Sequence, residues 1–133
     1  MDASRRSLRC VVVEDDDTVR TAIVLALRGF DVEATDFAGV GDVLDACDRV
    51  APDVVLLDIA LHAFDAIDVV RALGDNGYRG AVQLMSGHHS LLDTVHRIGV
   101  ASGLTMLKPM RKPFRASDIR RAVADCDRRA SAA

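Results

Sequence analysis

Lysine is nearly absent from this chain. Of its 17 lysine and arginine residues only Lys108 and Lys112 are lysine, and both lie in the stretch TMLKPMRKPF, each followed by proline. Cysteine is scarce as well. Cys10, Cys47 and Cys126 stand far apart in apolar patterns, with no CxxC spacing. That argues against a metal or redox role and for small buried hydrophobes in a reducing compartment. Long hydrophobic runs are missing too. MDASRRS leads into only a short apolar run, so no signal peptide is evident, and nothing approaches a membrane span. No repeat, low-complexity block or internal linker appears. The expectation is a cytosolic protein with one domain over residues 1–133 and an ordered core over about residues 8–129.

Half of the residues are hydrophobic and 28% are charged, the profile of an ordinary globular domain. A net charge of −3 argues against nucleic acid or an anionic membrane as the main partner. The charge is unevenly spread. Acids crowd into EDDD at residues 14–17, whereas the tail beyond Arg111 carries Arg115, Arg120, Arg121, Arg128 and Arg129. Such a field suits a charged partner, and a solvated helix face explains the tail equally well.

Apolar runs alternate with helical periods along the whole chain. LRCVVV (8–13) reads as a buried strand, followed by a helix through Val19, Ala22, Ile23 and Ala26 that Gly29 stops. A short strand is expected from Phe30 to Thr35, then a helix marked by Val40, Val43, Leu44, Cys47 and Val50 and closed by Pro52. DVVLLD (53–58) is a second run apolar on both faces. It is followed by a helix through Ile67, Val70 and Leu73, a strand AVQLMS (81–86) and a helix from about Ser90 past Leu91, Val95 and Ile98. One more strand is expected within 104–111. The last helix opens at Ser117 and buries Ile119, Ala122, Val123 and Cys126. Five strands alternating with five helices demand right-handed parallel crossovers and a sheet covered on both faces. The VVV and VVLL runs belong in its centre. The predicted fold is therefore α/β, a flavodoxin-like doubly wound five-stranded parallel sheet of order 2-1-3-4-5.

In such folds ligands collect at the carboxyl ends of the strands beside the topological switch. The first strand ends in Glu14 and Asp15, the third in Asp58 and the fourth in Ser86. Three carboxylates from neighbouring strands would repel and raise one another's pKa. A hard divalent cation with oxygen ligands relieves this, and Mg²⁺ suits it best because it keeps positions open for water and phosphate oxygens. A carboxylate, Mg²⁺, a hydroxyl and a lysine together make a phosphoryl-transfer site, in which catalysis is mostly positioning and charge neutralisation. Asp58 would be the nucleophile, with Ser86 and a lysine on the phosphoryl oxygens.

VVVEDDDTVR, VVLLD, LMSG and KPF, in this order and at these distances, resemble a bacterial two-component response-regulator receiver domain over essentially the whole chain. The resemblance implies a phosphoacceptor signalling switch. Asp58 would be phosphorylated by a histidine kinase or a histidine phosphotransfer protein with Mg²⁺ bound, changing a surface read by a downstream target or a fused output domain. It implies Glu14 and Asp15 as the acidic pair, by their spacing to Arg20, and the Ala60 backbone carbonyl as a further metal ligand. Asp16 and Asp17 then fall to the loop and helix cap. The segment before KPF resembles receivers attached or related to cyclic-di-GMP phosphodiesterase (EAL) proteins, which bears on ancestry and not on activity. No substrate turnover beyond accepting and losing the phosphoryl group is expected, and a homodimer is left open.

The choice of lysine follows from connection length. Ser117 is a good N-cap; Lys112 leaves four residues before it and Lys108 eight, and βα connections usually run about two to six. Lys112 is the expected one, in the register that KPF shares with the family. Pro109 then lies in or beside an edge strand, where proline is tolerated. The Lys112–Pro113 peptide is a cis candidate by resemblance, against the general preference for trans.

Several positions depart from the family's pattern. His62 and Ala66 replace a proline and a glycine after the acceptor, and Pro109 occupies the place of the family's switch aromatic. Asp65 is kept and is expected to cap the third helix. His62, His88 and His89 are expected on the rim of the site as polar loop residues, with a second metal site or proton shuttle as the alternative reading. His88 and Ala60 would flank the phosphoryl group and control water access, and His96 reads as a helix-surface residue. Two other functions compete. A phosphatase of the haloacid dehalogenase type needs a second acid two residues after the nucleophile, where this chain has Ala60. A degenerate receiver would bind partners without phosphorylation.

Overall fold

The computed structural model describes residues 7–59, 63–87 and 89–132. Its elements alternate as read from the sequence: β1 (Arg9–Val13), α1 (Asp17–Gly29), β2 (Glu33–Phe37), α2 (Val43–Val50), β3 (Val54–Asp58), α3 (Ala63–Asp75), β4 (Ala81–Ser86), α4 (His89–Ala101), β5 (Thr105–Met106), β6 (Met110–Arg111) and α5 (Ala116–Ala132). The sheet is parallel throughout, in the order β2-β1-β3-β4-β5, with β6 also pairing with β4.

The continuous apolar runs become central strands because each serves two cores. Val11, Val13, Val55, Leu57, Val82 and Leu84 face the side covered by α2, α3 and α4. Cys10, Val12, Val54, Leu56, Ala81 and Met85 face α1 and α5, with Ile23, Leu27, Ile119, Ala122 and Cys126. With both faces buried there is no polar alternation to read. All three cysteines are free and buried, as expected; burial raises the Cys10 thiol and pushes Cys47 up to about 11. Among the described residues no helix is long and apolar enough to cross a membrane.

Four local readings need correction. β2 begins at Glu33, not Phe30, because the chain first ties off α1. The N–H groups of Phe30 and Val32 both donate to the Leu27 carbonyl at 3.0 Å, and Asp31 takes a left-handed φ of 62°. An aspartate tolerates that conformation better than most residues. The fifth strand is two short pieces. Residues 107 to 109 stand opposite only 83 and 84, so the edge carries one extra residue around Pro109, which has no N–H for the ladder. The Lys108 carbonyl at this bulge is satisfied from inside the sheet, by the fully buried Gln83 Nε2 at 2.7 Å.

The last helix opens one residue early, so Ser117 lies in its first turn. Its end is closed by Asp118, whose Oδ2 accepts from the Arg115 N–H at 2.8 Å. Asp65 is the third residue of α3 and its side chain lies outside the described residues, while Ala66 is buried. His96 is half-buried with a shielded Nδ1, not a surface residue. The Lys112–Pro113 peptide is cis.

Candidate metal centre

Parallel strands present all their carboxyl ends on one edge, and β1, β3 and β4 are adjacent there. β1 hands over to Glu14 and Asp15 directly after Val13, and β3 ends on Asp58 itself. One carboxylate oxygen from each of Glu14, Asp15 and Asp58 lies within 4.8 Å of the others. Their exposures differ. Glu14 is buried, Asp15 is exposed, and the Asp58 side chain keeps 5% of its surface. Asp16 is the helix cap, its Oδ1 accepting from the Val19 N–H at 3.0 Å, and so turns away from the cluster.

Lys112 reaches into this group from the segment after β6. Its Nζ lies 2.7 Å from Glu14 Oε1 and 3.1 Å from Asp58 Oδ2. Its own N–H donates to the Ser86 carbonyl at 3.0 Å, tying the lysine to the end of β4. Ser86 is buried beside it. Lys108 is exposed, on the outside of the bulge. Ala60, His62 and His88 lie outside the described residues, as does the side chain of His89, which opens α4.

The site's electrostatics are dominated by its crowded carboxyl groups. Burial, and after it the neighbouring Asp58 carboxylate, push Glu14 up to about 8 against the pull of Lys112. Burial pulls the Lys112 ammonium down, but the two carboxylates more than offset it and the net direction is upward. One lysine faces three carboxyl groups, and Glu14 Oε2 is buried without a hydrogen-bond partner. A hard cation fits these residues, because it gives that oxygen a neighbour and removes the mutual repulsion.

A family model described as response regulator receiver domain matches residues 10–124. The chain belongs to that family. It is 32% identical over 123 residues to the DNA-binding response regulator MtrA of Mycobacterium tuberculosis (strain ATCC 25618 / H37Rv), covering 90% of this chain and 49% of the relative. It is also 32% identical over 80 residues to the DNA-binding transcriptional regulator NtrC of Klebsiella pneumoniae, covering 60% of this chain and 17% of that protein. The chain thus spans half or less of the length of these relatives. Because both are named as DNA-binding, the expectation that sets nucleic acid aside finds no support at the level of a whole regulator.

Among solved structures, a CheY-like receiver domain from Methanospirillum hungatei JF-1 superposes with a TM-score of 0.82 at 16% identity, covering 96% of this chain and 100% of that one. The BeF3-activated receiver domain of Klebsiella pneumoniae RstA superposes with a TM-score of 0.71 at 25% identity, covering 87% and 95%. As a receiver domain this chain is a component of two-component signalling, and receiver domains generally bind Mg²⁺ at an acidic pocket such as this one. Sequence reasoning missed Arg20 as a contact of the site's loop. Its Nη1 donates to the Glu14 carbonyl at 2.9 Å, and the only signal was its spacing from the acidic pair.

Proposed function

We propose that this domain is a phosphoacceptor switch in which Asp58 takes a phosphoryl group from a histidine kinase or a histidine phosphotransfer protein. The observation that carries the reading is the meeting of Asp58 with Glu14, Asp15 and Lys112 at one sheet edge. A carboxylate oxygen of Asp58 attacks phosphorus, and the P–O bond forms as the donor's P–N bond breaks, leaving the donor imidazole to take up a proton. Lys112 holds Asp58 Oδ2, orients the carboxylate, and then neutralises charge on the transferred group. Ser86, buried at the end of β4, donates its hydroxyl to a second phosphoryl oxygen. Glu14, Asp15, Asp58 and, by resemblance to the family, the Ala60 carbonyl would hold the cation, which when bound would supply electrostatic stabilisation of the transferring phosphoryl group.

The consequence is a change in a partner-binding surface. The partner is a protein target or an output domain, and any DNA contact belongs to such an output. The domain turns over no separate substrate and works in the cytoplasm. Incubation with Mg²⁺ and acetyl phosphate followed by intact mass spectrometry tests the reading. One phosphate adduct is expected on the wild type and none on Asp58→Asn or in the presence of EDTA. A wild type without adduct, and without beryllofluoride binding, identifies a receiver that works without phosphorylation.

A further inference from the structure

The second strand end has no place among the metal ligands, yet its last residues grip the acidic loop from two sides. The Glu14 N–H donates to the Phe37 carbonyl at 3.1 Å, and the Glu14 carbonyl accepts from Arg20 Nη1 at 2.9 Å. Arg20 is itself held by Asp36, whose Oδ2 lies 3.1 Å from its Nε, and by Asp17 on its Nη2. The Arg20 side chain is 16% exposed, against 84% for Asp17 and 40% for Asp36. The guanidinium is therefore the shielded centre and the acids are its rim. It serves three acceptors on three parts of the chain: the end of β1, the first turn of α1 and the end of β2. A planar fork whose N–H donors point in fixed directions suits three separated acceptors, whereas an ammonium presents its three donors from one point on a flexible stem.

We propose that Arg20, anchored by Asp36, is a positioning residue for the cation. By fixing the Glu14 peptide it sets the direction in which Glu14 and Asp15 leave β1, and so keeps their carboxylates on Asp58. The inference rests on the Mg²⁺ reading above. The competing account is that the ion pairs merely clip α1 to β2. For Arg20→Met, charge gives the two accounts opposite signs. Removing a nearby positive group tightens cation binding by electrostatics alone, whereas a loop that loses its clamp binds the cation more weakly.

The test is calorimetric titration of Mg²⁺ into the full chain at fixed ionic strength, for the wild type, Arg20→Met, Arg20→Lys and Asp36→Asn, with circular dichroism and Mg²⁺-free melting run alongside. Loss of an outer partner of a metal ligand typically costs about 10- to 100-fold in affinity. Both Arg20 variants are expected to bind at least about tenfold more weakly, with lysine failing to rescue, and Asp36→Asn to fall between them and the wild type. The Mg²⁺ concentration giving half-maximal acetyl phosphate labelling should rise in parallel. Unchanged or tighter binding in folded Arg20→Met and Arg20→Lys overturns the proposal. If Arg20→Met does not fold, unchanged affinity in Arg20→Lys and Asp36→Asn overturns it instead. A wild type that binds no Mg²⁺ overturns the metal reading and this inference with it; equal binding by all four proteins overturns the inference alone.

Discussion

Lys112 stands between Glu14 and Asp58 with 24% of its side chain exposed, while both carboxylates are almost fully buried. Removing one partner of a fully buried pair costs about 3–5 kcal/mol. Here the lysine is partly solvated and Glu14 is already pushed toward its neutral form, so the cost is smaller. We expect Lys112→Met to destabilise the Mg²⁺-free protein by about 1–3 kcal/mol in urea unfolding. Lys108→Met, on the exposed side of the bulge, should stay within about 0.5 kcal/mol of the wild type. Equal effects of the two substitutions would reject the distinct placement of the lysines. The difference between them was legible in the sequence, because connection length is a local quantity. The Arg20 hub was not: its pair with Asp17 is local to α1, but Asp36 reaches it from β2, and the folded sheet brings that strand end beside the Glu14 loop.

At the scale of elements, β1, β3 and β4 announce themselves because strands buried on both faces carry near-continuous apolar runs, with Gln83 the one polar residue inside them. The edges do not. β2 has exposed residues at Glu33, Thr35 and Asp36, and its start is decided by the left-handed turn at Asp31, which no hydrophobic pattern encodes. Pro109 reads as tolerated in or beside an edge strand, but the bulge around it and the Gln83 donor that satisfies the Lys108 carbonyl are visible only in three dimensions.

Helix contacts have the same character. A Cβ on Gly74 would lie 2.7 Å from the Ser102 backbone oxygen and 2.8 Å from its Cβ, so α3 touches the end of α4 through backbone. A Cβ on Gly99 would meet the sulfur end of Met106, a flexible side chain. Glycine to alanine within a helix gains about 1 kcal/mol in propensity. That gain should roughly offset the displacement of Met106 in Gly99→Ala, leaving stability within about 1 kcal/mol of the wild type. In Gly74→Ala the backbone has nowhere to go, and a loss of about 1–3 kcal/mol is expected in the same denaturation experiment.

On the scale of the whole molecule, the strand order was legible because two runs apolar on both faces leave few ways to build a covered parallel sheet. That order places the acids of two strands side by side, and the fold gains its stability elsewhere, in the two cores. The site therefore works against the fold when no cation is bound. It confines three carboxyl groups with one lysine and leaves Glu14 Oε2 buried without a partner. A ligand that binds only the folded state stabilises it by about 2.7 kcal/mol at a hundred times its Kd. For a domain of this size each kcal/mol moves the melting point by about 3–5 °C. Thermal unfolding should accordingly shift upward by about 10 °C between EDTA and saturating Mg²⁺. Asp58→Asn removes one charged ligand and part of the repulsion together. It should melt higher than the wild type in EDTA and gain less from Mg²⁺, so that the two curves converge as the ion is added. A variant that responds to Mg²⁺ as strongly as the wild type would mean that the ion binds somewhere other than the edge where Glu14, Asp15 and Asp58 meet.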